Sequence, residues 1–229
     1  MDHLNNSLNA SKPSRNNKRL TLHSSAWLYL AATCCVVFSV LFLDRPISTW
    51  MHHNINASVL FKPLSQMPVL FEVLSALVIL SCLIAKFRVK LAHFALALIF
   101  TLISATIVRP GAKWIFGRTW PETWLQLDSG GNPSWITHGV EGFHPFMAGA
   151  AYNSFPSGHA LFTFALVSVF WWRLPKLYPL WLVAMLGAVA GQLGQNYHFL
   201  GDLLAGATLG VFCAQISIWL SERVMPKHH

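Results

Sequence analysis

SFPSGHALFTFALVSVFWW, Ser154 to Trp172, is an apolar run opened by proline, serine, glycine and histidine. Whether it crosses a membrane decides between five spans and six. A helix needs roughly 20 apolar residues to cross the hydrocarbon core. From Ala160 onward the run is too short, and only the Pro-Ser-Gly-His turn brings it to span length. That places Ser157, Gly158 and His159 at a helix N-terminus on a membrane surface. Around it lie five further apolar runs, giving spans at about 26–43, 68–85, 91–108, 157–172, 177–195 and 203–220. The pattern predicts an all-α, polytopic membrane helix bundle with six transmembrane helices.

Composition agrees. Of 229 residues, 54% are hydrophobic and 10% charged, against roughly a quarter charged in soluble domains. Cys34, Cys35, Cys82 and Cys213 all lie in apolar runs without a C-x-x-C pair. They imply neither a disulfide framework nor a structural metal site. The formal charge of +8 is topological. Lys12, Arg15, Lys18, Arg19, Lys86, Arg88, Lys90, Arg173, Lys176, Arg223 and Lys227 fall on one side. Arg45, Lys62, Arg109, Lys113 and Arg118 fall on the other. This asymmetry puts both termini in the cytoplasm of a cell whose inner (plasma) membrane holds the chain, and it argues against nucleic acid as a partner.

Residues 1–24 read as a polar cytoplasmic tail, 25–222 as one membrane domain and 223–229 as a second short tail. The first apolar run lacks a small-residue cleavage site and is expected to be retained. Residues 44–68 suit a short helix at the outer interface. KFRVK (86–90) and RLPKLYP (173–179) are expected to be cytoplasmic turns. The longest connection, 109–156, lies on the outer side, and loops of that length are usually functional.

On this topology Lys113, Arg118, Ser157, His159, His198 and Asp202 meet at the outer face from three separated stretches. Lys113 and Arg118 suit an anion clamp, or plain snorkelling toward headgroups. Ser157 and Gly158 offer a hydroxyl and close backbone approach where free N–H groups favour an anion. A histidine at 159 can give or take a proton near neutral pH. If 198–202 is helical, Asp202 can accept the Nδ1 proton of His198 and leave Nε2 as a nucleophile.

Pro156-Ser157-Gly158-His159, the pair His198 and Asp202, and Lys113 resemble the motifs of the type 2 phosphatidic acid phosphatase and haloperoxidase superfamily, and in particular its six-span bacterial lipid phosphatases. Those motifs are Lys-x6-Arg-Pro, Pro-Ser-Gly-His and Ser-Arg-x5-His-x3-Asp, and the resemblance covers about residues 60–220. It implies a membrane lipid phosphatase working through a phosphohistidine at His198. Asp202 would orient the ring and His159 would act as acid and base. Lys113, Arg118, Ser157 and Gly158 would hold the phosphate, with no metal and no cofactor. The partner implied is a lipid substrate: phosphatidate, phosphatidylglycerol phosphate, a polyprenyl pyrophosphate or a glycolipid phosphate. The loop from Thr119 to Ala151, with Trp120, Trp124, Asp128 and His144, is expected to shape that choice.

Three positions depart from the motifs. Trp120 stands where the first motif has arginine, and Gly191-Gln192 where the third has serine and arginine. Arg118 is expected to replace one cation and Gln192 to supply a neutral hydrogen bond, with Arg109, His138 and His144 as further candidates. A lipid phosphotransferase, or a non-catalytic lipid-phosphate binder or transporter, remains as the alternative. Oligomeric state is left open.

Overall fold

The computed structural model describes residues 20–55, 57–124, 126–127 and 130–225. Most of the expected N-terminal tail, the last four residues and Asp128 lie outside them. Helix α1 (Leu20–Phe38) runs through one π-turn, Ser39–Leu43, into α2 (Asp44–Asn54). A four-residue helix, α3 (Lys62–Ser65), precedes α4 (Met67–Ser81) and α5 (Ala85–Phe116). The outer connection holds a short antiparallel ladder, Gln126–Leu127 with Gly130–Gly131, and α6 (Trp135–His138). Three helices complete the bundle: α7 (Gly158–Arg173), α8 (Tyr178–Gly194) and α9 (Leu200–Val224).

Among the described residues, five helical stretches are long and apolar enough to cross a membrane: Ala26–Asn54, Val59–Ser81, Ala85–Phe116, Pro175–Gly194 and Leu200–Val224. The run that opened the reading is not one of them, because α7 has only 16 residues. It occupies the centre instead, with Leu161, Ala165, Leu166, Val167 and Val169 fully buried. A helix enclosed by protein need not match the thickness of the lipid around it.

Small residues on α9 bring α7 and α9 together. A Cβ on Gly206 would lie 2.4 Å from the Ser157 carbonyl oxygen, and one on Gly210 would lie 2.4 Å from that of Leu161. This G-x-x-x-G spacing is how helices approach closely where lipid removes any hydrophobic drive between them. Away from the polar end, Phe71, Phe94, Phe170 and Trp181 fill the core, with ring centroids 5.2 to 6.3 Å apart. Leu77, Val183 and Leu186 point outward, as the lipid face of a bundle requires.

One expected turn is helical. Residues 86–90 form the first turns of α5, and α5 continues past its expected end through Pro110 to Phe116. Proline removes one backbone bond, which membrane helices tolerate when neighbours compensate. The consequence is chemical: Arg109 and Lys113 are one turn apart on the same helix face. Between α1 and α3, α2 is the expected polar helix. It packs on the outer loop through Arg45 with Glu141 (2.8 Å), Trp135 Nε1 donating to Thr49 (3.0 Å) and His52 with Glu122 (3.0 Å).

Candidate active site

The α7 and α9 N-termini meet at one point. Ser157 caps α7, its Oγ accepting from the Ala160 N–H at 3.3 Å, while its own N–H donates to the Asp202 carbonyl at 3.0 Å. That backbone bond fixes His159, on the first turn of α7, relative to the segment carrying His198.

His198 lies in the five-residue link between α8 and α9, outside both helices. The pair is therefore not on one helical face; it forms across a helix start. Asp202, in the first turn of α9, reaches back to accept the Phe199 N–H at 3.1 Å and faces His198 Nδ1 at 3.4 Å. The latter is longer than a tight N–H···O bond of about 2.9 Å, and catalytic hydrogen bonds are commonly loose before substrate binds. Ser154 Oγ donates to the same carboxylate oxygen at 2.6 Å. Burial pushes the His198 imidazole below the ordinary histidine range, against the raising effect of Asp202. A neutral ring with Nδ1–H on the carboxylate presents an Nε2 lone pair.

Nε2 has a cavity available. His198, His159, Gly158, Lys113, Arg109, Trp120, Asn153 and Glu72 line a space of about 350 Å³ that continues along Pro68, Val69 and Phe162. The two imidazoles stand 6.2 Å apart by centroid. Trp120 stacks on His198 at 5.2 Å, and Lys113 Nζ lies 5.6 Å from the Trp120 ring and donates to the Asn153 carbonyl. Gly158 has a steric role as well, since a Cβ there would come within 2.8 Å of Arg109 Cδ. A larger groove of about 500 Å³ between α1 and α9 is lined by apolar and threonine side chains and holds no titratable group.

The structure thus brings Lys113, Gly158, His159 and His198 to one cavity, with Asp202 directly behind His198. Three expected residues lie elsewhere. Arg118 is fully buried, 2.7 Å from Asp202 Oδ1, 2.7 Å from Asp44 Oδ2 and 2.8 Å from Glu141 Oε1, so its guanidinium is committed to carboxylates and not to the cavity. Gln192 is fully buried and donates to the Ser65 carbonyl at 2.9 Å. Ser157 Oγ serves the α7 cap. The departure at 191–192 has a packing cause. A Cβ on Gly191 would sit 2.3 Å from the Ser65 N, so α3 fills the space that a serine side chain at 191 would occupy.

Two side chains absent from the expected set belong to the site. Ser154 gives its hydroxyl to Asp202, and Glu72 lines the cavity from α4. Neither carries a sequence signal, since their roles arise only from packing. Arg109, one of several candidates for a replacement cation, is the one that lines the cavity. His138 instead contacts Ser134 at 3.4 Å, and His144 stacks by Tyr152 at 4.9 Å.

A helix bundle whose polar end gathers two histidines, a buried aspartate and two cations defines a candidate phosphate-handling membrane protein. The family model described as the PAP2 superfamily matches residues 94–226, more than half of the chain, and the chain belongs to that superfamily. A lipid A 1-phosphatase from Porphyromonas gingivalis is 30% identical over 80 residues, which cover 33% of this chain and 18% of that protein. The matched stretch thus spans about a fifth of the relative. No solved structure gives a significant match.

Proposed function

We propose that this protein is an integral-membrane phosphatase that hydrolyses a lipid phosphate through a phosphohistidine at His198. The observation carrying the reading is that His198, His159, Lys113 and Arg109 line one cavity, together with Glu72 and Asn153, that continues along the apolar side chains of Pro68, Val69 and Phe162. Membership of the superfamily and the name of the relative support the same reading.

In this mechanism Nε2 of His198 attacks phosphorus and the ester oxygen leaves on the opposite side. His159 gives that oxygen a proton, then takes one from the water that attacks the phosphohistidine, so that inorganic phosphate and free imidazole are regenerated. Asp202 holds Nδ1–H and balances the charge of the phosphorylated ring. Lys113 and Arg109, with the Gly158 amide, face the non-bridging oxygens where charge redistributes. Two fixed cations supply the neutralisation that other phosphatases take from metal ions, which supports a metal-independent reaction. Pro68, Val69 and Phe162 suit the apolar neighbourhood of a lipid headgroup. The outer-face placement of the site follows from the charge asymmetry of the loops.

The test is a panel of lipid phosphates (phosphatidate, phosphatidylglycerol phosphate, a polyprenyl pyrophosphate and a glycolipid 1-phosphate) offered to detergent-purified protein in EDTA. Phosphate release by the wild type and its loss in His198→Ala is the expected result. Equal release by both sinks the nucleophile assignment. Transfer of the phosphate to an added lipid in place of release would make the protein a phosphotransferase. Tight binding without turnover would make it a binder.

A further inference from the structure

Arg118 is a fully buried cation. Its side chain has no solvent exposure, and it contacts three carboxylates drawn from three parts of the chain: Asp44 of α2, Glu141 of the outer loop and Asp202 of α9. The Asp202 and Glu141 contacts are directed hydrogen bonds, at 2.7 Å and 2.8 Å. The Asp44 contact, at 2.7 Å, is a charge contact off the N–H line. Phe199 and Phe143 close on the guanidinium at 4.3 Å and 4.9 Å, which excludes water and removes alternative rotamers. Asp44 is itself fixed, because its other oxygen accepts the Gly201 N–H at 2.8 Å and the Ser39 hydroxyl at 2.8 Å.

The consequence falls on the oxygen that faces His198. A carboxylate can rotate about its Cβ–Cγ bond and offer either oxygen. With Oδ1 held by Arg118, Oδ2 is left toward His198 Nδ1, and Ser154 and the Phe199 N–H hold it there. Charge points the same way. Arg118 and Arg45 stand against Asp44, Glu141 and Asp202, two positive charges against three negative. Within this cluster the negative charges outnumber the positive by one, while Lys113 acts on Asp202 and His198 from the cavity side.

We propose that Arg118 is a positioning residue, which locks Asp202 against Asp44 and Glu141 so that His198 keeps its Nδ1–H tautomer and its aim into the cavity. The proposal rests on the phosphohistidine reading given above. It also gives a role to α2, which precedes the residues matched by the family model: its Asp44 anchors the far side of the clamp.

Arg118→Lys, Arg118→Met, Asp202→Asn and the double variant Arg118→Met with Asp202→Asn are compared in kcat, KM and inhibition by inorganic vanadate, with 15N NMR of histidine-labelled protein reading the His198 tautomer. Arg118→Met is expected to lower kcat at least 100-fold with KM and vanadate inhibition within 3-fold of wild type. Arg118→Lys should recover part of kcat. The double variant should be no slower than Asp202→Asn, because both act through one carboxylate. Where Arg118→Met does not fold, Asp44→Asn tests the same clamp without touching Asp202, with a smaller kcat loss expected. A vanadate constant that weakens in step with KM would make Arg118 a phosphate ligand and overturn the proposal. Losses that multiply in the double variant would also overturn it. If the wild type releases no phosphate from any lipid, the functional reading fails. The NMR still decides the clamp: a His198 tautomer identical in wild type, Arg118→Met and Asp44→Asn refutes it, and a lost Nδ1–H supports it.

Discussion

Lys113 and His198, expected from the sequence to share a site, line one cavity. The phosphate-facing cations beyond Lys113 were not legible in the sequence. From spacing, Arg118 and Gln192 were the nearest substitutes for two absent arginines, yet both are fully buried and engaged with protein partners. Arg109 takes the place beside Lys113, because Pro110 does not end α5 and the two cations fall one turn apart. No local pattern distinguishes a proline that ends a helix from one that a packed helix absorbs. The residue-scale prediction follows. Arg109→Ala should lower kcat/KM for a lipid phosphate by roughly 10- to 150-fold, from a charge-assisted contact of about 1.5–3 kcal/mol. Steady-state kinetics check it, and an unchanged kcat/KM would remove Arg109 from the phosphate site.

Element by element, the apolar runs predicted helices well and their ends poorly. The run at 91–108 becomes a 32-residue helix, and the shortest run becomes the buried centre of the bundle. Hydropathy measures what a segment can bury, and it is blind to whether protein or lipid does the burying. The pairing of α7 with α9 rests on Gly206 and Gly210, whose spacing could be found in sequence but whose partner could not. Gly206→Leu forces a side chain into the α7 backbone. Overpacking of this kind costs about 1–3 kcal/mol, a loss of roughly 2–12 °C for a chain of this size. Thermal unfolding in detergent should show it, while Gly111→Ala, with nothing within 4 Å of its Cβ, should leave the midpoint unchanged. A Gly206→Leu protein as stable as wild type would contradict the close packing of the two helices.

At the scale of the molecule, the charge asymmetry of the loops predicts which way the bundle faces, and with it the side on which the proposed site opens. A reporter that is active only outside the cytoplasm, fused after Gly131 in the outer loop, should be active. Activity from a cytoplasm-only reporter at the same position would reverse the assignment of sides. The chemistry has a more direct test. Wild-type protein is mixed with a 32P-labelled lipid phosphate and quenched within milliseconds in alkali, where phosphohistidine survives and phosphoserine esters are lost. The account predicts label on the peptide containing His198, absent in His198→Ala and accumulating in His159→Ala if water attack is slowed. Phosphate release by the wild type with no label at His198 under any quench would contradict it.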